Sequence, residues 1–372
     1  GRSQLVLVTV SKSLVAFERN IISAQGEILS NALCTVGLKN RRMRKFSQEV
    51  KKVTRHFRAQ HHSKDLCPLL YTNGWNSDFK SPRWWTDFVN HATDGAFSNQ
   101  FLLEWTSVFG PRWIHQIPRS LPRVFFTPED TEYRYNQYDD YLADKSDLAL
   151  GFKYQSKHAN YIRFPLWLNY FLDSQCAKDT HLSQCVDDFL TELEGQRGSQ
   201  PFERIVFCSL IASHDERGNG AGLRAQTGTL MESIAPVHYE GRFRKNSTML
   251  VDQFQDDIRA YLRHSTFNIC LENTNSPGYT TEKLFQSLLN GAIPIYWGSS
   301  NRPEPEVLTG NGIIFHDPKN PEATLQEVLR LQNDTTYREE FLAKPLLAET
   351  AQEYIEERIV LAKKRILQLI GQ

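Results

Sequence analysis

The sequence has no surplus of either charge: Lys plus Arg and Asp plus Glu both number 43, so the formal net charge is zero. That removes the global basic field with which nucleic-acid binders collect phosphates, and no nucleic-acid partner is expected. No apolar run approaches the roughly 18 residues needed to cross a bilayer, and the first one, LVLVTVSKSLVAF, is interrupted by Lys12. The chain opens on Gly rather than Met, so an upstream anchor stays open as an expectation. Cysteine is sparse, six residues with no C-x-x-C and no Cys/His set at zinc spacing, and no metal ligands are expected. Cys208 and Cys270 fall in expected strands and read as buried thiols, while Cys176 and Cys185 are close enough in sequence to pair. Also missing are G-x-x-x-x-G-K-[ST], G-x-S-x-G and H-E-x-x-H, which excludes P-loop, serine-hydrolase and zincin readings. No D-x-D occurs, so the acidic pair that commonly holds a metal on a sugar nucleotide is absent.

What is present points to two domains, since 372 residues exceed one ordinary core. Aromatics make up 12%, and Trp84, Trp85, Trp105 and Trp113 crowd one short region. Trp84 and Trp85 form a candidate platform for stacking the apolar face of an acceptor sugar; core packing is the competing use. From Ile22 to Arg58 the apolar residues Met43, Phe46, Val50, Val53 and Phe57 recur at helical spacing among many Arg and Lys. A solvated helix packed by its stripe is the first reading, and peripheral contact with an anionic membrane the second.

Short apolar runs bounded by turn residues then alternate with polar helical stretches, as buried parallel strands do in an α/β fold. CPLLYTNGW, RVFFTPED, DLALGF and YIRFPLWLNYF carry the pattern before the polar stretch Asp173 to Gln200, where the domain boundary is placed. RIVFCSLIA, APVHYEG, STFNICLEN, AIPIYWG and NGIIFHD carry it afterwards, and a helix from about Lys344 to Leu369 closes the chain. The expected divisions are a helical extension (1–65), two Rossmann-like domains (66–198 and 199–345) and a C-terminal helix (346–372). GNGAG at Gly218 to Gly222 lacks the last glycine of the dinucleotide fingerprint and reads as a flexible loop. Asn246 and Asn333 sit in N-x-[ST] sequons.

One stretch is chemically richer. FNICLENTNSPGYTTEKLFQSLLNGAIPIYWG, Phe267 to Gly298, sets Glu, Asn, Tyr and a Glu-Lys pair between two buried runs. An apolar strand ending in polar residues opens into the crevice where open α/β sheets bind ligands, and a helix amino terminus offers N–H groups to an anion. Thr280 or Thr281 is expected to cap the helix beginning at Glu282. Lys283 places positive charge where a diphosphate would sit, and Glu282 faces the other way, toward a sugar; a dipole partner is the plainer reading of a lone Glu there.

That stretch resembles the signature of the α1,3/α1,4-fucosyltransferases, glycosyltransferase family 10, in its bacterial-type form: E-N, a short turn, Y-x-T-E-K, then G-x-[IV]-P-[IV]-x-x-G. Leu271 and Ser287 are mild departures, from Phe and Ala. LRAQTGTLMESIAPVHYEGRFRKNS is similar to the family's Arg-headed helix, and RVFFTPEDTEYRYNQYDDYLADKSDLALGF to its amino-domain segment, in which a strand ends in T-G-E-N, with Pro128 here in place of the Gly and Asp130 in place of the Asn. The resemblance implies a GT-B fold, two doubly wound Rossmann-like domains facing across a cleft, and inverting, metal-independent transfer of L-fucose from GDP-fucose to a GlcNAc-containing acceptor, at O3 first of all. It implies donor contacts from Arg224, Asn273, Tyr279, Glu282 and Lys283, a catalytic base at Glu129 with Asp130 as rival, and Glu282 stabilising the sugar cation; no cofactor is required. The competing readings are a transferase using another sugar nucleotide, a glycoside hydrolase with Glu129 and Glu282 as its carboxylate pair, and a noncatalytic sugar-nucleotide-binding protein. A bacterial chain would be cytoplasmic or membrane-peripheral, and a shortened eukaryotic one would belong in the Golgi lumen.

Overall fold

The computed structural model describes residues 69–71, 82–97, 101–109, 115, 121–133, 135, 138, 143–195 and 203–372. The expected basic helix at 22–58 and Trp113 lie outside them. In chain order the elements are β1 (Leu69–Tyr71), α1 (Pro82–Ala92), β2 (Leu103–Thr106), β3 (Arg123–Phe126), β4 (Leu148–Gly151), β5 (Tyr161–Arg163), α2 (Leu166–Phe171) and α3 (Asp179–Gly195). There follow β6 (Val206–Ala212), α4 (Leu223–Glu232), β7 (Val237–Gly241), α5 (Met249–Asp252), α6 (Ile258–Leu262), β8 (Ser265–Ile269) and α7 (Glu282–Leu289). The chain ends with β9 (Ile293–Tyr296), β10 (Ile314–Phe315), α8 (Pro321–Asn333), α9 (Thr335–Ala343) and α10 (Ala351–Leu369).

The alternation of buried strands with helices gives an α/β fold with two five-stranded sheets, ordered β1-β2-β3-β4-β5 and β10-β9-β8-β6-β7. Every strand pair of the second sheet is parallel, as are β1–β2 and β2–β3 in the first. The chain forms two compact units: the described residues of 1–127, 141–149 and 363–372 belong to the first, and those of 128–140 and 150–362 to the second.

In the first unit, β2 and β3 are buried along their whole length. Trp85 of α1 packs its ring against Trp105 at 4.7 Å and Phe126 at 5.4 Å. Arg123, a cation inside β3, is neutralised by the buried Glu104 of β2 at 2.8 Å, so the charge costs no orphaned partner.

In the second unit the core runs through Cys208 and Leu210 of β6, Met231 of α4, Phe267 and Ile269 of β8, Ile293 and Ile295 of β9, and Val328 and Leu331 of α8. Burial pushes the Cys208 thiol up, as expected of an inert core cysteine. Cys176 and Cys185 are free thiols, not a bridge. Pro294 is tolerated within β9 because it precedes the stretch paired with β10, which begins at Ile295. Strand order turns at β6: β7 lies on one side of it and β8, β9 and β10 on the other. That is a topological switch point, where neighbouring crossovers diverge and leave a crevice at the strands' carboxyl ends. α10 buries Ala351, Ile355, Ile359, Ala362 and Ile366, the stripe expected of the closing helix. Among the described residues no helix is long and apolar enough to cross a membrane.

Candidate active site

The carboxyl end of β6 leads to Asp215, whose carboxylate accepts from the backbone N–H groups of Arg224 at 3.0 Å and Ala225 at 2.9 Å. This caps the first turn of α4 and fixes where Arg224 begins its reach. Its Nη2 donates to the Leu271 carbonyl at 2.8 Å and to Asn273 Oδ1 at 2.9 Å, and its Nη1 to the His214 carbonyl at 3.2 Å. The side chain thus spans from α4 to the end of β8 and is only 5% exposed. Burial lowers its pKa while Asp215 and Glu272 favour the charge. A guanidinium starts so far above neutrality that it stays a cation.

GNGAG is tied to the same strand end. Gly220 N–H donates to the Asn273 carbonyl at 3.2 Å, and Asn219 Oδ1 accepts from Asn275 N at 2.8 Å. Gly218 has φ +66°, and a Cβ there would stand 2.0 Å from the Asn273 carbonyl oxygen. The glycines serve close backbone approach, which corrects the reading of this segment as a loose loop.

Glu272, one residue before Asn273, is the hub of the second half of the site. It is 1% exposed. Its carboxylate accepts from Thr281 N at 2.7 Å, from Thr281 Oγ1 at 2.8 and 3.0 Å, and from Lys283 Nζ at 2.9 Å. Lys283 Nζ also donates to Thr281 Oγ1 at 2.8 Å. Thr281 does stand at the N-cap position of α7, but its hydroxyl makes no cap bond. It relays between Lys283 and Glu272 instead, which corrects the expected capping role. Burial opposes the Lys283 charge, yet Glu272 and Glu282 overcome it and hold the pKa above lysine's usual value. Gly298 explains the last glycine of the motif: a Cβ there would lie 2.6 Å from Glu272 Cγ.

α7 itself is held by its apolar face, where Phe285 stacks on Trp167 of α2 at 4.4 Å. It ends in a Schellman motif, with Gly291 at φ +69° and Ala292 N–H donating to the Ser287 carbonyl. The departure at Ser287 brings its own partner, since Asn268 Nδ2 donates to the Ser287 hydroxyl at 2.7 Å. Glu282, at the start of the helix, is half-buried. It makes no hydrogen bond or ion pair among the described residues, and it acts electrostatically on Tyr170, Tyr279 and Lys283.

The described residues of 128–140 belong to this same unit. Asp130 Oδ2 accepts from the Ser276 hydroxyl at 3.1 Å and its Oδ1 from Glu132 N at 3.0 Å, which commits Asp130 to holding the segment against the TNSPGY turn. Its neighbour Glu129 is half-buried. Tyr279, 2% exposed, has its ring edge on Phe152 at 4.8 Å. Burial, then Glu129, Glu272, Asp130 and Glu282, drive its phenol well above the usual tyrosine range. Both proposed catalytic carboxylates therefore act on one protonated phenol.

The TNSPGY turn has an anchor that sequence reasoning missed. Arg163, in what read only as an apolar strand run, forms a two-pronged pair with Glu304 at 2.7 and 3.0 Å and donates to the Gly278 carbonyl at 3.2 Å and the Tyr354 hydroxyl at 2.6 Å. Asp215 and Glu272 were missed as well; a charged residue at a strand end was the available signal. Trp85 is corrected: it has no exposed surface, so neither face of its ring is open to a sugar. Trp84 is half-buried and stacked on Phe88 at 4.9 Å.

A parallel α/β fold whose switch point gathers a buried guanidinium, an ammonium and a set of carboxylates defines the class. Residues 207–358 match the model for glycosyltransferase family 10 (fucosyltransferase) C-term, which marks this part of the chain as a domain of that kind. The match contains Arg224, Asn273, Tyr279, Glu282 and Lys283 but not Glu129. The chain is 28% identical over 204 residues to alpha-(1,3)-fucosyltransferase FucT of Helicobacter pylori, covering 48% of this chain and 37% of that one. It is 27% identical over 193 residues to alpha-(1,3)-fucosyltransferase B of Drosophila melanogaster, covering 49% and 40%. The matched part thus spans less than half the length of these relatives. A crystal structure of an alpha1,3-fucosyltransferase superposes with TM-score 0.56 at 20% identity, covering 82% of this chain and 92% of the other, and its GDP-fucose complex with TM-score 0.53 at 20% identity, covering 83% and 92%. These establish the fold.

Proposed function

We propose that the chain transfers L-fucose from GDP-fucose to a hydroxyl, O3 first of all, of a GlcNAc-containing glycan, with inversion. The observation that carries the reading is the convergence, at the β6/β8 switch point, of Arg224 and Lys283 with Glu282, in the unit that also holds Glu129. The diphosphate lies against the two cations, which take up the negative charge that grows as GDP departs and do so without a metal. Asn273, already bonded to Arg224, orients that guanidinium. Glu282 faces the sugar and stabilises the oxocarbenium-like centre. Glu129 removes the acceptor proton as the hydroxyl attacks the face opposite the leaving group, with Asp130 beside it as the rival base. The matching relatives' names, both alpha-(1,3)-fucosyltransferases, support the choice of sugar and linkage.

The test is incubation with labelled GDP-fucose and a panel of lactosamine, lacto-N-biose and chitobiose acceptors. Transfer to at least one acceptor, retained in excess chelator, is expected. Preferential thermal stabilisation by UDP over GDP, with no fucose transfer, would replace the reading with a transferase using another sugar nucleotide.

A further inference from the structure

We infer that Glu272 is a positioning residue for the donor: the carboxylate orients the Lys283 ammonium and the start of α7 through a three-point contact with Thr281 and Lys283. The inference rests on the function proposed above and concerns a residue that would not touch substrate.

An ammonium has three N–H donors. Lys283 directs one to Glu272 Oε2 and another to Thr281 Oγ1, at 2.9 and 2.8 Å. Those contacts fix the azimuth of the third, which is the one left for a phosphate oxygen. Glu272 meanwhile accepts from Thr281 N and so holds the residue that precedes α7. Its own position is set from behind: its N–H donates to the Trp297 carbonyl at 2.9 Å, and Gly298 leaves room only for its methylenes. A carboxylate this buried, with every contact directed at one lysine and one threonine, does little for packing that a neutral residue could not do. The other charged or titratable groups around the lysine are Cys270 after β8, Arg224 of α4 and Glu282 of α7, while Tyr296 of β9 faces Glu272.

Glu272→Gln keeps the shape and the acceptor for Thr281 but removes the charge. The expected result, by steady-state kinetics with GDP-fucose and lactosamine, is a donor KM raised roughly tenfold, from the loss of one charge-assisted hydrogen bond, with acceptor KM unchanged. The alkaline limb of kcat/KM moves to lower pH, because the anion that keeps Lys283 protonated is gone. Thr281→Val, which deletes only the relaying hydroxyl, raises donor KM in the same direction by a smaller factor and stands in should Glu272→Gln fail to fold. Variants that melt earlier yet keep the wild-type donor KM and alkaline limb would overturn the inference and make Glu272 purely structural. Wild-type protein that neither binds nor uses GDP-fucose would instead overturn the function on which it rests.

Discussion

Arg224 and Asn273 are joined across the switch point, Nη2 to Oδ1 at 2.9 Å, and the same nitrogen holds the Leu271 carbonyl at 2.8 Å. An arginine used this way acts as a fork whose prongs are set before a ligand arrives. Arg224→Lys keeps the charge and loses the fork. Donor binding measured by calorimetry should weaken roughly a hundredfold, the loss of one to two charge-assisted hydrogen bonds. Binding within about threefold of wild type would show that only the charge matters.

The Arg163–Glu304 pair predicts a stability effect with a particular non-additivity. Its partners are 3% and 0% exposed at the side chain, and the guanidinium also meets the Tyr354 hydroxyl, the Gly278 carbonyl and the Tyr154 ring at 4.5 Å. Glu304→Gln or Arg163→Met should each cost about 3–5 kcal/mol in denaturant unfolding, because one buried charge is left unpaired. The double substitution should cost less than the sum of the singles. Additive losses would mean that the two residues do not act as a pair.

Gly298→Ala sets a methyl against Glu272 at a φ of +154°. It should lower the melting temperature and weaken donor binding together, since Glu272 must move. Gly195→Ala, at the end of α3 with nothing within 4 Å of the added carbon, is the control and should leave donor binding untouched. Tight donor binding by Gly298→Ala would show that the Glu272 contacts are dispensable.

His316 gives the pH dependence. It is 2% exposed and lies between Thr227 at 3.3 Å and Thr324 at 3.0 Å, and burial holds its pKa below the usual histidine value. Its folded pKa is depressed, so its contribution is fully present above the unfolded value of roughly 6.5 and is lost as pH falls below it, where only the unfolded chain takes up the proton. Melting temperature should therefore fall more steeply from pH 7 to 5 in wild type than in His316→Gln. Parallel curves would remove the histidine from the acid response.

The strands and the strand-to-helix junction were legible because their signals are local. The run FNICLEN is one buried strand end, and Y-x-T-E-K places Glu282 and Lys283 on the first turn of one helix. What escaped the sequence depends on distant partners. Nothing near Arg163 announces Glu304, 141 residues away. Glu272 read as the polar end of a strand because its partners come nine and eleven residues later, across a turn whose path periodicity does not give. Trp85 looked available because its neighbours on β2 and β3 are supplied by the sheet, not by its own helix. Asp130 and Glu129 are adjacent and chemically alike, and nothing local in the sequence announces that Asp130 reaches Ser276, 146 residues away.

The central claim, that the diphosphate of GDP-fucose is held by Arg224 and Lys283 at the β6/β8 switch point, is tested most directly by a crystal structure of the protein soaked with GDP-fucose in chelator. The account predicts diphosphate oxygens within hydrogen-bonding distance of both cations, with the fucose ring toward Glu282. A donor bound elsewhere, or one that enters only with a divalent metal between phosphate and protein, would contradict it.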